Sequence, residues 1–434
     1  MKCDKKIKIL IVSNTPWDDN NSFGNSFSNI FGGNPNYEIA NIYCQPGSPN
    51  TKVASRFFQI SEKDIIKKVL GKQKTTGREV FQNNEAESSI TTFSKKEQGI
   101  MNSFKLKRWQ LLFWMRDFIW ANKRWMSAEL DLFIKDFAPD LIFQPVYYSS
   151  YLNEIGLYAQ KLTGVNMVGY MSDDNYTLKC YSWSPLFWID RLIKRHYVRK
   201  ACDESKILYV ISEMQRKEFE GYFGNKCKVL YKGANFQEEP EYSVSKPLKF
   251  VYTGNIGSGR WKTLGVVARA IKKINSQEAK AMLYITSPTP VNDKMLETLN
   301  VKGASEFLGK VPLKKKEELQ KKADVLMHVN SFEKSSRYAF RLSFSTKLVD
   351  YFETGHAIMA IGWDGNADID YLIINDAAIV VTDEKEIESS IKKVIEDADR
   401  MIPEYNHKCF VCGKNNHQIE VIHENLYQDL LSVI

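Results

Sequence analysis

A glycine-rich turn in the second half of the chain has the composition of a phosphate-binding loop. It opens with Gly254 and Asn255 after an apolar, strand-like run, and it ends with Arg260 and Lys262 at the start of a helical segment. Backbone N–H groups of such a turn, together with the two basic side chains, could hold a diphosphate. The glycine spacing is not G-x-G-x-x-G and no Walker lysine motif occurs, so a plain turn with solvated basic residues is the alternative interpretation.

A second candidate site lies further along the chain, at the start of a predicted helix. Ser345 or Thr346 can cap this helix, and Gly355 ends it. A phosphate at the helix start would meet backbone N–H groups and the Lys347 ammonium. Lys347 and Asp350 share one helix face, so Asp350 could accept hydrogen bonds from ribose hydroxyls. A surface ion pair between these two residues is the alternative.

Cys409, Cys412 and His417 have the spacing of three ligands of a zinc knuckle. The position of the fourth ligand holds Ile422, and a closed structural zinc site needs four ligands. The sequence therefore does not favour zinc at this place.

Two other features resemble metal ligands without the context that a metal site needs. Asp368 and Asp370 form an Asp-x-Asp triplet, but it lies far beyond the glycine turn, and such triplets are common by chance. His328 lies inside an apolar run and is interpreted as a core residue. We expect no metal site and no cofactor.

Alternating strand-like and helical segments must position these residues. Short apolar runs that end in polar residues are typical of buried parallel strands. They occur at residues 8–13, 140–144, 166–170, 207–211, 249–252, 281–285, 324–328, 357–361 and 378–381. This alternation predicts an α/β protein with doubly wound sheets, whose ligands bind at the carboxyl ends of the strands.

The polar, proline-containing stretch 237–247 is the best linker candidate and divides the chain into two α/β domains. The predicted units are an N-terminal domain over 1–238 with a polar surface insertion at about 71–103, a C-terminal domain over 246–405, and a helical segment over 406–434 that packs back on the first domain.

Composition limits the class of protein. The 434 residues are 43% hydrophobic and 26% charged, which suits two domains with their own cores and excludes a disordered or collagenous chain. Seven cysteines, an odd number, indicate a reduced, cytosolic protein rather than a disulfide scaffold. The net charge of +8 favours an anionic partner, whether nucleotide, phospholipid or nucleic acid. No apolar stretch approaches the length of a membrane span.

The order of these pieces resembles the C-terminal domain of GT-B glycosyltransferases of the large family-four type. There, a Gly-Asn or Gly-Arg turn with a basic residue is followed by Pro-Ser-Lys-Leu-x-Glu-Tyr-x-x-x-Gly and a strand. This chain has Phe-Ser-Thr-Lys-Leu-Val-Asp-Tyr-Phe-Glu-Thr-Gly at 344–355, and Phe-Leu-Gly-Lys-Val-Pro at 307–312 also fits. The resemblance covers 249–400 well and 7–235 more loosely. It implies two Rossmann-like domains that face each other across a cleft, with a nucleotide-diphosphate sugar as donor.

The family commonly has two glutamates eight residues apart, where this chain has Leu342 and Asp350. Aspartate keeps the ribose-binding chemistry, whereas the loss of the first glutamate leaves the grip on the donor sugar and the stereochemical outcome open. Arg337 and Arg341 lie just before Leu342 and could contact the donor instead.

In the resembling enzymes the N-terminal domain binds the acceptor, and its first loop lies close to the donor phosphates. Here Gly24 and Asn25 lie in that loop and open the next helix. An inverting transfer needs a base for the acceptor hydroxyl. Asp173 and Asp174 follow a predicted strand and are the base candidates, although adjacent aspartates at a turn also serve as caps.

Two stretches, 105–125 and 184–200, are both basic and aromatic. Lys105, Arg116 and Lys123 fall together on a helical wheel, with Trp109, Phe113 and Trp120 alongside. Tryptophans beside cations suit the headgroup layer of an anionic membrane. Amphipathic core helices with a solvated face are the equal alternative.

The sequence thus predicts a metal-independent glycosyltransferase, with a hexose as the expected sugar and a saccharide or lipid-linked acceptor. By analogy it builds a bacterial surface polysaccharide, in the cytoplasm or at the inner face of the membrane. The alternatives are a nucleotide-sugar epimerase on the same fold and a basic nucleic-acid-binding protein. We expect nucleotide sugar, and not nucleic acid, as the partner.

Overall fold

The first half of the chain forms an eight-stranded sheet with the strand order β4-β3-β2-β1-β5-β6-β7-β8. The computed structural model describes residues 6–82 and 110–434. The strands are β1 (Ile7–Ser13), β2 (Tyr37–Tyr43), β3 (Arg56–Ile60), β4 (Gly77–Val80), β5 (Leu141–Pro145), β6 (Asn166–Met171), β7 (Ser205–Val210) and β8 (Cys227–Val229). All pairs are parallel except β3 with β4. The central strands β1, β5 and β6 are almost wholly buried, as expected for a parallel sheet with helices on both faces.

The helices described in this half are α1 (Ser22–Phe31), α2 (Glu62–Val69), α3 (Gln110–Ala121), α4 (Ala128–Phe137), α5 (Ser150–Thr163), α6 (Pro185–Glu204) and α7 (Glu213–Phe223). Serine or asparagine side chains accept the N–H groups at several helix starts, as at Asn21, Ser127 and Ser149. Because β1, β2, β3 and β5 to β8 run parallel, the loops that follow these strands lie along one edge of the sheet.

Strand β4 lies within the segment for which the sequence predicts a polar surface insertion. It pairs antiparallel with β3, and Arg56 on β3 bonds Glu79 on β4 at 2.9 Å. The start of the predicted insertion is therefore an edge strand, which its polar composition did not indicate. Positions 83–103 of the insertion lie outside the described residues.

The second half forms a six-stranded, wholly parallel sheet with the order β11-β10-β9-β12-β13-β14. Its strands are β9 (Leu248–Thr253), β10 (Ala281–Thr286), β11 (Ser305–Gly309), β12 (Val325–Val329), β13 (Ala357–Ile361) and β14 (Ile379–Val381). Strand order reverses between β9 and β12. That reversal makes the loops after these two strands the place where a doubly wound sheet binds its ligand.

Its helices are α8 (Arg260–Ile274), α9 (Asp293–Leu299), α10 (Leu313–Lys321), α11 (Lys334–Phe340), α12 (Thr346–Thr354), α13 (Ala367–Ile374), α14 (Ile387–Glu396), α15 (Ala398–Asn416) and α16 (Ile419–Leu431). None of the helices in the described ranges has the length and apolar character needed to cross a membrane.

The last two helices join the two halves. Helix α15 packs on the second sheet, with Cys409 and Phe410 in its core, and it runs through residue 406, where the sequence predicts a boundary. Helix α16 returns to the first half, where His423 bonds the carbonyl of Asn29 at 2.7 Å and Tyr209 bonds Asp429 at 2.8 Å. The chain therefore changes from one half to the other after α15.

Candidate active site in the cleft between the two sheets

The glycine turn after β9 is shaped by backbone conformations that favour glycine. Gly254 has φ +141° and Gly259, the residue before α8, has φ +81°. Asn255 accepts the N–H of Gly257 at 2.6 Å and the hydroxyl of Thr289 at 3.1 Å. The side chain of Asn255 therefore fixes the shape of the turn. Helix α8 starts without a side-chain cap.

Lys347 meets this turn from the first residues of α12. A methyl group added at Gly254 would only touch the Lys347 ammonium, at 3.4 Å, so glycine is favoured there by its φ of +141° rather than by lack of space. The ammonium lies 4.6 Å from the ring centre of Tyr252 and 5.5 Å from that of Tyr351. Burial, reinforced by the positive charge of Arg260, lowers the pKa of Lys347 to about 7. Two cations thus converge at the turn.

The other two cations predicted at the turn have different surroundings. The Arg260 guanidinium lies 4.9 Å from the ring centre of Phe340, and it forms no ion pair with any residue that the structure describes. Lys262 lies half exposed and forms an ion pair with Glu333. Arg260 is accordingly the better-placed partner of Lys347, and Lys262 lies at the rim of the turn.

A buried aspartate holds the start of α12. Ser345 precedes the helix without capping it by its own side chain, and its N–H donates to Asp368 at 2.7 Å. The other oxygen of Asp368 lies 3.1 Å from Nε2 of His328, at the end of β12. Burial lowers the pKa of His328, and its Nδ1 has no hydrogen-bond partner within residues 6–82 and 110–434. His328 is buried as predicted, but the sequence interpretation missed that Asp368 supports the helix start.

Asp350 lies one turn further along α12 and forms an ion pair with Lys232, which follows β8. Both line a cavity of about 1060 Å³ between the two halves, together with Asn21, Asn25 and Gln320. No local signal in the sequence marks Lys232, because its partner lies more than a hundred residues away.

Gly24 and Asn25 of the first loop have separate roles. A side chain at Gly24 would overlap the Asp18 carbonyl oxygen, at 2.1 Å, so glycine is required there for packing. Asn25 lines the large cavity, opposite Asp350. The predicted approach of this loop to the donor side thus rests on Asn25 and its neighbours rather than on Gly24 itself.

Asp173 and Asp174 follow β6 and face different surroundings. Asp173 accepts a hydrogen bond from the Ser343 hydroxyl at 3.1 Å and lines a second cavity, of about 640 Å³, together with Thr346. Asp173 is exposed to the cleft as a residue, but the protein atoms around its carboxyl partly desolvate it and raise its pKa, and the charge of Asp174 adds to this effect. Both cavities are bounded by Asn21, so they form adjoining parts of one cleft.

Asp174 is enclosed by donors. Its carboxylate accepts the N–H of Thr177 at 2.8 Å and the same residue's hydroxyl, and it pairs with Arg191 at 3.3 Å and Arg341 at 3.0 Å. These contacts occupy the oxygens that a base would need to present to an acceptor.

Several solved structures share this arrangement of two sheets and a cleft. The structure of HepE from Anabaena in complex with UDP superposes with a TM-score of 0.63 over 98% of this chain and 100% of its own, at 10% identity. Sucrose-phosphate synthase from Thermosynechococcus elongatus gives 0.63 over 99% and 100%, also at 10%. A glycosyltransferase from Rickettsia africae gives 0.59 over 99% and 98%, at 10%.

The chain has the GT-B fold. This confirms the predicted fold class. No protein-family model matches the sequence, and no curated protein matches it either. The likeness to these solved structures is therefore one of fold.

The GT-B cleft is bridged in this chain by residues 341–343. Arg341 pairs with Glu218 of α7, at 2.7 Å, and with Asp174. The Ser212 hydroxyl bonds the carbonyl of Leu342 at 2.8 Å, and the Leu342 side chain is buried in the core of the first half. Arg341, predicted to contact the donor sugar, thus forms ion pairs with the first domain instead. Leu342, at the position of the first glutamate in the resembling family, packs in the apolar core of the first half.

The predicted membrane-binding cations are mostly bonded within the GT-B domains. Arg116 donates to the Tyr151 hydroxyl at 2.6 Å, Arg195 to the carbonyl of Tyr176 at 3.1 Å, and Arg199 to Asp203 at 2.8 Å. Lys123 is exposed. These cations therefore give little support to membrane binding. Lys105 and Trp109 lie outside the described residues.

Cys409 and Cys412 of the knuckle-like motif are buried in α15, and His417 bonds the Tyr371 hydroxyl at 2.9 Å. Over residues 6–82 and 110–434, no three His, Cys, Asp or Glu side chains are grouped so that they could hold a metal.

Proposed function

We propose that the chain is a glycosyltransferase that moves a sugar, a hexose, from a nucleotide-diphosphate sugar to an acceptor hydroxyl. The observation that carries this proposal is the convergence of Arg260 and Lys347 at the Gly254 turn, at the strand-order reversal of the second sheet. Two cations that repel one another in a partly buried site are stabilised by an anion between them. A diphosphate has the charge and size for that place.

The donor would bind along α12. Its diphosphate would take backbone N–H groups from the turn and from Thr346 at the helix start, with charge-assisted bonds from Arg260 and Lys347. The N–H of Ser345 is already donated to Asp368, so Ser345 would contribute through its hydroxyl. Asp350 would accept ribose hydroxyls, and its ion pair with Lys232 orients the carboxylate. These positive groups can neutralise the leaving diphosphate, so we propose that transfer requires no metal.

Asp173 is the proposed base. It lines the same cavity as Thr346, and among the described residues Ser343 is the one side-chain donor to its carboxylate. Its raised pKa makes it a better proton acceptor than an ordinary carboxylate. Asp174 would act as a positioning residue, since its bonds to Thr177, Arg191 and Arg341 hold the loop that carries Asp173.

The acceptor side would be the cavity of about 640 Å³ that Asp173, Tyr147 and Tyr148 line. Aromatic rings suit the faces of a saccharide. We propose a saccharide or lipid-linked acceptor, a place in the synthesis of a surface polysaccharide, and action in the cytoplasm at the membrane. These finer assignments follow the family resemblance and the pattern of the cleft.

UDP and UDP-sugars are the first ligands to test, because HepE of the same fold was solved with UDP. UDP should raise the melting temperature, and UDP-hexose with an acceptor should release UDP in the presence of EDTA. Loss of release in EDTA, restored by Mg²⁺ or Mn²⁺, would contradict metal independence. Conversion of the UDP-sugar without any acceptor would favour the epimerase, and absence of binding by every nucleoside diphosphate would contradict the proposal.

A further inference from the structure

The N-terminal part of α6 has its amphipathic character reversed. Its charged residues face the protein and its aliphatic residues face outward. The buried charged residues are Asp190, Arg191 and Lys194, each at most 6% exposed. The outward residues, which we call the α6 apolar face, are Leu186, Ile189, Leu192 and Ile193, at 41%, 47%, 55% and 50% exposure.

The buried charged residues of α6 form hydrogen bonds with one another and with neighbouring elements. Asp190 accepts from the indole of Trp114 at 3.0 Å, the hydroxyl of Tyr148 at 2.9 Å and the ammonium of Lys194 at 2.9 Å. Arg191 donates to the carbonyl of Thr177 at 2.9 Å. These bonds fix the rotation of the helix about its own axis and thereby keep the aliphatic side chains outward.

Exposed apolar residues also occur on α3, a helix that contacts α6. Helix α3 is joined to α6 by the Trp114–Asp190 bond and by an ion pair of 3.0 Å between Asp117 and Lys194. Beside these contacts, Met115 and Phe118 of α3 are also exposed. Single exposed apolar residues are ordinary, but neighbouring helices with several such residues indicate an interaction surface.

Aromatic and basic residues at the edge of the face indicate which partner it meets. Trp183, just before α6, is 88% exposed, and its indole donates to the Tyr181 hydroxyl at 3.0 Å. The Lys334 ammonium lies 5.0 Å from the Tyr181 ring centre. Tryptophan and tyrosine beside lysine, at the edge of an aliphatic patch, fit the headgroup layer of a bilayer, and the chain's net charge of +8 favours anionic lipid.

We propose that the α6 apolar face rests on an anionic lipid bilayer, with Trp183 at the level of the headgroups. Tyr181 stacks on Tyr338 of the second domain, so the bilayer would lie beside the cleft. Aliphatic insertion supplies the main attraction, in contrast to the internally bonded arginines. The proposal concerns attachment and does not depend on which reaction the cleft performs.

Flotation of the full chain with phosphatidylcholine vesicles, with and without phosphatidylglycerol, tests the proposal. The wild type should float with the vesicles that contain phosphatidylglycerol, and less well at high salt. The double variant Ile189→Ser/Ile193→Ser should partition at least about tenfold less. The matched control is Ile374→Ser on α13, since Ile374 is 81% exposed on the other domain, and it should float like the wild type.

Quenching by brominated lipid adds a second measurement, since Trp183→Phe should remove much of the tryptophan quenching. Equal flotation of the wild type and the double variant, or no flotation of either, would overturn the proposal. So would a wild-type dimer in sedimentation that the double variant converts to a monomer, because the face would then join two copies of the chain. An unchanged melting temperature and unchanged UDP binding in the double variant would show that its fold is intact. If neither the wild type nor the variants bind UDP, the proposed glycosyl transfer is contradicted, whereas the proposed membrane attachment is not.

Discussion

Lys347 is the central residue of the proposed diphosphate site. The sequence places it at a helix start, and the fold encloses its ammonium between two tyrosine rings beside Arg260. Its pKa of about 7 means that Lys347 is only partly protonated near neutral pH. An anionic ligand would favour the protonated form, so ligand binding and proton uptake should be coupled.

UDP binding should therefore weaken as the pH rises. With the pKa of free Lys347 at about 7, the ammonium loses its proton between about pH 7 and pH 9, and the bound diphosphate must restore it. We expect the Kd to rise by about tenfold or more over that interval. Titration calorimetry at the two pH values measures it. Lys347→Met should bind weakly with little pH dependence, and an unchanged wild-type Kd would contradict this view of the site.

Asp173 and Asp174 form a matched pair for testing catalysis. Asp173→Asn should lower turnover by about 10²–10⁴ while UDP binds as before, because only the proton acceptor is lost. Asp174→Asn should chiefly lower the melting temperature, because it removes the charge opposite Arg191 and Arg341. Steady-state rates and melting curves distinguish the two effects. Full turnover by Asp173→Asn would exclude it as the base.

At the scale of elements, α12 depends on a residue from another part of the chain. Asp368 of α13 accepts the Ser345 N–H and contacts His328. Asp368→Ala should lower the free energy of unfolding by about 1–3 kcal/mol, because it leaves a buried N–H and an imidazole without their acceptor. UDP should also bind less tightly, since the helix start loses its support. Asp370→Ala is the control, and denaturant titration and calorimetry measure the free energy of unfolding and the Kd for UDP. Equal values for the two variants would contradict this role of Asp368.

Local elements of the site were predictable, and their distant partners were not. The glycine turn, the α12 start and the strand alternation carry their signals within a few residues of sequence. Lys232 opposite Asp350, Glu218 opposite Arg341, and Asp368 under Ser345 are brought together only by the topology.

Helix α6 and strand β4 differ for physical reasons from what hydrophobic patterning indicates. Periodicity assigns apolar residues to the inside of a helix, whereas α6 buries paired charges and exposes its aliphatic side chains. Strand β4 is only four residues long and lies at the edge of the sheet, where polar residues are tolerated. Hydrophobic patterning therefore indicates neither the outward aliphatic face of α6 nor the edge strand β4.

At the scale of the whole molecule, Arg341 and Leu342 hold the two GT-B domains together across the cleft. Arg341→Ala would leave Glu218 and Asp174 without their shared cation. We expect a larger radius of gyration in X-ray scattering and a lower turnover, with UDP still bound by the second domain. Arg337→Ala, a nearby exposed arginine, is the control. Unchanged scattering would show that the ion pairs do not set the domain arrangement.

The central claim is that a nucleoside diphosphate binds between Arg260 and Lys347. Calorimetric titration of UDP into the wild type, Lys347→Ala, Arg260→Ala and Lys262→Ala tests it most directly. Charge-assisted hydrogen bonds are worth about 1.5–3 kcal/mol, so the first two variants should each bind roughly tenfold or more weakly. Lys262→Ala should change the Kd much less, because that ammonium is paired with Glu333. Equal affinity of all four proteins, or no affinity in the wild type, would contradict the account.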